Sequence, residues 1–190
     1  RKNSMTTGQK NNNRLFLNTT TSRVDTKKGL LDIFQTLISK SHLNKTQHKQ
    51  LTQIIQKTPQ IATITDPKNR TPLHWAAING HTGLIRDLIR AGANINAMDN
   101  EGKTALHFAC LHGHLNILNL LKKAQATITI KDHDGNTPLH LACAQKEPKI
   151  VKQLIRAGAK RHRQNSQRDT PLHIATRYGH NDIIKMLLKH

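Results

Sequence analysis

The tetrapeptide Thr71-Pro72-Leu73-His74 returns as Thr104-Ala105-Leu106-His107, as Thr137-Pro138-Leu139-His140 and as Thr170-Pro171-Leu172-His173, each time after 33 residues. A fixed period of this length restricts a chain to a stacked array, in which a unit buries its apolar face only against its neighbours. Arrays of this kind offer extended surfaces for holding another molecule rather than closed pockets for chemistry.

The residues around the tetrapeptide explain the unit. Pro72 pre-sets φ for the first turn of a helix, and Thr71 can cap that helix through its hydroxyl. Leu73, Ala76 and Ala77 share one face, and the small alanines allow close helix approach. Leu84, Ile85, Leu88 and Ile89 form the apolar stripe of a second helix. Gly92 follows it where a left-handed cap is wanted, and Gly102 and Gly135 fall in tight turns after Asp99 and Asp132.

The run Asp66-Pro67-Lys68-Asn69-Arg70-Thr71-Pro72-Leu73-His74-Trp75-Ala76-Ala77, then Gly80-His81, then Ala91-Gly92-Ala93-Asn94-Ile95-Asn96-Ala97, resembles the ankyrin-repeat family almost end to end. The resemblance covers residues 66–190 directly and 30–65 as a more degenerate extension. It implies an all-α solenoid of stacked helix-turn-helix pairs with short β-hairpin loops. The division it implies is a flexible basic tail at 1–28, a degenerate N-terminal capping repeat at 29–65, repeats at 66–98, 99–131 and 132–164, and a partial C-terminal repeat at 165–190.

Several positions depart from the pattern. Asn69 replaces the turn glycine and tolerates a left-handed φ, whereas Arg168 in the same slot tolerates it badly, which puts that hairpin in doubt. Gln125 stands where Gly92 and Gly158 stand and predicts a less comfortable helix end. Lys146-Glu147 replaces Gly-His, with Pro148 at an acceptable first helical turn. Arg161 replaces the apolar residue seen at Ile95 and Ile128, so a looser, more exposed hairpin is expected around Lys160–Asp169.

Ahead of the array, residues 1–28 are rich in Asn, Thr, Lys and Arg and too polar to fold alone. They read as a linker or tail, and their acid-poor composition also resembles an organelle transit peptide. Leu30, Leu31, Phe34, Leu37 and Ile38 predict a helix near 30–40. Leu51, Ile54 and Ile55 predict another near 46–57, ending before Pro59. A chain that starts with Arg and stops inside its fourth copy is expected to be a fragment of a larger protein.

No apolar run is long enough to span a bilayer. Cys110 and Cys143 occupy the same repeat position, so they should sit about 10 Å apart, beyond the roughly 7 Å reach of a disulfide. They read as small buried apolar residues in a reducing compartment. The tetrapeptide histidines are separated in the same way, too far apart to share one metal. In the family that His makes hydrogen bonds that steady the turn and helix, and the Gly-His pair is equally structural. His107, Cys110, His112 and His114 form the one cluster worth weighing, and three of its four members belong to the motif. No metal or cofactor is expected. Without a phosphate-cradling glycine loop or a paired nucleophile and base, neither is catalysis.

The formal net charge is +19, large enough to raise nucleic acid or an anionic membrane as a partner. The charge is patterned. One second-helix position reads Arg86, Asn119, Lys152, Lys185, and four residues later Arg90, Lys123, Arg156, Lys189. These should align as a basic ridge along the outer side. The bland reading is a solvated face that keeps the chain soluble.

In the family, partners meet the hairpin tips and the outer end of the first helix. Carried over by register, that concave face offers Arg70, Ile78, Asn79, Lys103, Leu111, His112, Asn136, Gln145, Arg177 and Tyr178. Trp75 belongs to a slot continued by Phe108, Leu141 and Ile174 and reads as inter-repeat core. The function implied is non-catalytic protein recognition by an adaptor, scaffold or targeting module, with a partner whose surface is acidic. Two alternatives stand beside it. One is an electrostatic docking module for nucleic acid or anionic lipid; the other is the recognition arm of a larger enzyme or secreted effector. The expected place is intracellular, cytoplasmic or nuclear, or a host cytosol for a secreted effector.

Overall fold

The computed structural model describes residues 32, 34, 36, 37, 40 and 42–189. The proposed tail at 1–28 lies outside them, as does much of the helix expected near 30–40, of which Asp32, Phe34, Thr36 and Leu37 are helical.

Helix α1 (Lys45–Lys57) is opened by a capping box in which the Asn44 side chain accepts from Gln47 N at 2.8 Å and Gln47 Oε1 accepts from Asn44 N at 3.1 Å. It ends at Thr58, before a 3-10 turn at Pro59–Thr63. Leu51 and Ile55 are buried, and Ile54 packs partly buried against them. Four helix pairs follow: α2 (Pro72–Ile78) with α3 (Thr82–Arg90), α4 (Ala105–Leu111) with α5 (Leu115–Lys123), α6 (Pro138–Ala144) with α7 (Pro148–Arg156), and α8 (Pro171–Arg177) with α9 (Asn181–Leu188). First helices stack as α2, α4, α6, α8, and second helices as α1, α3, α5, α7, α9.

The alternation of short and long apolar side chains explains the stacking. Ala76, Ala77, Ala109 and Ala142 are fully buried and let first helices touch, while Leu84, Ile85, Leu88, Ile117, Leu118, Leu121, Ile150, Val151 and Leu154 fill the second layer. Burying a Leu or Ile side chain contributes about 1.5–3 kcal/mol, and the array spreads that gain along one continuous core. Cys110 and Cys143 belong to it as free, buried thiols. Burial raises the Cys143 pKa to about 12 and pushes Cys110 further up.

Successive pairs are joined by β-turns, and among the described residues no strand forms. Each turn is closed by a carboxylate or amide at its first position. Asp66 Oδ1 accepts from the backbone of Lys68 and Arg70, Asp99 Oδ1 from Glu101 and Lys103, and Asn165 Oδ1 from Gln167 and Asp169. One backbone rung joins each tip to the next: Asn100 N to Lys68 O, His133 N to Glu101 O and Ser166 N to Asp134 O, all 2.9 Å.

These bonds correct the expectation about the last hairpin. Arg168 takes φ 64°, Asn69 takes 59°, and both close the same turn. The hairpin is exposed, but it carries the same bonds as the others. Arg161 is half-buried and donates to the carbonyls of Leu187 and Lys189, capping α9. Gln125 likewise adopts φ 64° and makes the bonds that Gly92 and Gly158 make. Turn bonds and packing on both sides hold these side chains in a region that ordinarily costs about 1–2 kcal/mol.

Candidate functional site

The recurring histidine is a rung between neighbours. In each first helix the ring Nδ1 accepts from the backbone N–H of the preceding Thr: Thr71 to His74 at 2.9 Å, Thr104 to His107 at 3.1 Å, Thr137 to His140 at 3.1 Å. Nε2 then donates across to the next unit, to the carbonyls of Lys103 (3.0 Å), Asn136 (3.3 Å) and Asp169 (3.2 Å). An N–H on one side and a carbonyl on the other fix the neutral ring with its proton on Nε2. Burial lowers the pKa of all three, against smaller opposing contributions from their carbonyl partners and nearby aspartates. The helix start is therefore held by a capping box in which the imidazole takes the Thr N–H and the Thr hydroxyl faces the His N–H. The Thr hydroxyl expected as cap lies 2.8–2.9 Å from the same Nδ1. At Thr170 it also accepts from His173 N, at 3.4 Å.

The second recurring histidine is tied down as well. His81 Nε2 bonds the carbonyl of Lys40, His114 Nε2 that of Ile78, and His180 Nδ1 that of Cys143. Among the described residues no group of three or more His, Cys, Asp or Glu side chains could hold a metal ion.

On the concave face the expected contact residues divide into two sets. The first is occupied internally. Arg70 pairs with Asp66 at 2.8 Å and lies 4.0 Å over the Trp75 ring. Lys103 pairs with Glu101, Asn79 Nδ2 donates to the Trp75 carbonyl, and Arg177 pairs with Asp169 at 2.7 Å. Ile78 and Leu111 are half-buried against the core. The second set faces outward: His112, Gln145 and Tyr178 are exposed, Tyr178 at 58 %. The Tyr178 ring stacks on His180 at 5.9 Å, and His112 stacks between Phe108 and His114. Partial burial and the neighbouring His114 lower the His112 pKa.

Three of the ten expected residues, Asn136, Arg177 and Tyr178, meet on the walls of one groove of about 250 Å³ between the last two units. Asp134, His140, Leu141, Ala144, Asn165, Gln167 and Ile174 complete its lining. Ile174 keeps the core place expected of it and Leu141 packs half-buried against that core, while both also line the groove. Their slot narrows along the array from Trp75 and Phe108 to Leu and Ile, and the groove opens at the narrow end. That drop in side-chain size was the signal available. Trp75 itself is half-buried rather than enclosed.

The stacked helix pairs, the tip-to-tip rungs and the histidine bridges have a counterpart in known proteins. A family model described as ankyrin repeats in three copies matches residues 26–132 and 125–190. The chain belongs to the ankyrin-repeat family. Ankyrin repeats are generally protein–protein interaction modules and generally non-catalytic. No helix among the described residues is long and apolar enough to cross a membrane.

The outer side of this ankyrin array differs in character from the concave face. Arg86, Arg90, Lys123, Lys152, Arg156, Lys185 and Lys189 are all exposed on the second helices or at their ends, and Asn119 is half-buried. Among the described residues only Arg90 of these seven is ion-paired, to Asp87 at 3.7 Å. Asp87 also accepts from the Thr52 hydroxyl at 2.8 Å.

Proposed function

We propose that the chain is a non-catalytic, intracellular recognition module that holds a protein partner on its concave face, centred on the groove beside Tyr178. The observation that carries this reading is the exposed aromatic ring of Tyr178 beside a groove lined by both polar and apolar side chains. Tyr is an anchor type because it offers a large contact area at low entropic cost, with a hydroxyl at its tip. Leu141, Ala144 and Ile174 supply apolar surface, while Asn136 and Gln167 supply directional polar groups beside it. Arg70 and Lys103 serve the fold rather than the contact, because their charges are matched within their own hairpins. The net charge of +19 steers an acidic partner toward the array.

Site-specific photo-crosslinking tests where the partner sits. A crosslinker placed at Tyr178 or Gln145 is expected to capture the same protein, and one placed at Lys152 is expected not to. Equal capture from both sides of the array would contradict a concave site. Replacing Ile78, Leu111, His112 and Tyr178 together with Ala or Ser is expected to abolish measurable binding of the captured protein, and full affinity would remove the proposal.

A further inference from the structure

Four of the eleven acids of this chain are spent inside its turns. Asp66, Asp99, Asp132 and Asp169 are all buried at the hairpins, where Asp66, Asp99 and Asp132 accept backbone N–H groups and Asp66 and Asp169 pair with arginines. They sit at one end of each unit, and the second helices lie at the other. On those helices and their caps the described acids are Asp87, already bonded by Thr52 and Arg90, Glu147 at the N-cap of α7, and Asp182 in the first turn of α9. The surface charge is therefore more one-sided than the composition suggests.

We infer that the second-helix face is a docking surface for the phosphate backbone of nucleic acid, bound without sequence preference and separate from the concave site. One row carries Arg86, Lys152 and Lys185, and the adjacent row carries Lys123 and Arg156, all exposed and without ion-pair partners among the described residues. Residues four apart on a helix rise by about 6 Å. Neighbouring helices lie about 8–10 Å apart, so the row from Arg86 to Lys185 runs for roughly 24–30 Å along the stack. A duplex presents one negative charge per roughly 1.7 Å of its axis, so every cation along a row of this length has phosphates within reach. An anionic membrane fits less well, because surface-bound helices bury an apolar face. Leu188 is the one exposed large apolar residue described on these helices. No aromatic side chain interleaves the rows, so the contact reads charge and not bases.

Fluorescence anisotropy of a labelled mixed-sequence DNA duplex of about 20 base pairs, titrated with the full chain between about 50 and 200 mM salt, tests this. The unaltered chain is expected to bind with an affinity that falls linearly in log–log form with salt. The triple variant Arg86→Gln, Lys152→Gln, Lys185→Gln is expected to bind roughly tenfold or more weakly, with the slope flattened by about 0.9 for each lost contact. A second variant, Lys123→Gln with Arg156→Gln, should act in the same direction, and Tyr178→Ala should leave duplex binding unchanged. Unaltered affinity and slope in both ridge variants would overturn the inference, as would absence of duplex binding near physiological salt. Retention on phosphatidylserine vesicles without duplex binding would overturn it in favour of lipid. So would a loss reproduced in full by neutralising Arg14, Arg23, Lys27 and Lys28 while the ridge variants bind normally.

Discussion

Two sets of residues recur at the repeat period in this chain, and they have opposite fates. The histidines at 74, 107 and 140 are enclosed, each bonded on both ring nitrogens and each joining one unit to the next. The cations at 86, 152 and 185 follow the same period with Asn119 in the gap, but they are exposed. Recurrence marks both sets as belonging to the array. The inventory of internal partners separates them: a side chain whose polar atoms are all satisfied serves the fold, and one left unsatisfied at the surface is available to another molecule.

That contrast can be broken most severely in the core between the two sets. Leu106 is 1 % exposed, and Leu106→Ala is expected to cost about 2–5 kcal/mol, read as a lower denaturation midpoint. An unchanged midpoint would mean that the helix register is wrong. His107→Ala removes both ring bonds and leaves the Asn136 carbonyl and the Thr104 N–H without their partner. A loss of about 2–3 kcal/mol is expected in the same measurement.

The histidine set also predicts a pH dependence that the cation set does not. In the folded chain His74, His107 and His140 bind protons less readily than an unfolded histidine near 6.5. Below that value the unfolded chain takes up more protons than the folded one. Their contribution is therefore fully present above about pH 6.5 and is lost as the pH falls through it toward the folded-state values. Denaturant midpoints should drop progressively from about pH 7.5 to 5, and His107→Ala should flatten that drop. An equal drop in the variant would locate the titration elsewhere.

Smaller effects sharpen the comparison. Arg168 holds a left-handed φ of 64°, so Arg168→Gly is expected to stabilise by roughly 0.5–1 kcal/mol, seen as a small rise in thermal midpoint. Lys152→Gln should change stability by less than about 0.5 kcal/mol, while still weakening duplex binding. A ridge substitution that destabilised as much as His107→Ala would erase the distinction between the two sets.

The array itself was legible because proline, threonine, alanine and glycine each solve a local problem that recurs at a fixed spacing. Even the degenerate helix at Lys45–Lys57 was readable from Leu51, Ile54 and Ile55. The hairpin at Arg168 was misjudged because a single-residue preference of 1–2 kcal/mol was weighed without the turn and tip bonds that override it. The exposure expected of the hairpin after Arg161 is present, but the bonds of Arg161 were not legible because its carbonyl partners, Leu187 and Lys189, are distant in sequence. The same reason explains the mixed outcome at the concave face. Register assigns Arg70, Lys103 and Arg177 to hairpins and first-helix ends, but whether a charge is free or matched depends on side-chain geometry that spacing does not encode.

The most direct test of the account compares one purified protein partner against three forms of the full chain near physiological salt: unaltered, Tyr178→Ala, and Lys152→Gln with Lys185→Gln. The account predicts an affinity about tenfold lower or worse for Tyr178→Ala, the loss expected of an anchor contributing more than about 1 kcal/mol, and little change for the ridge variant. Equal affinity in all three forms, or a loss confined to the ridge variant, would contradict recognition on the concave face.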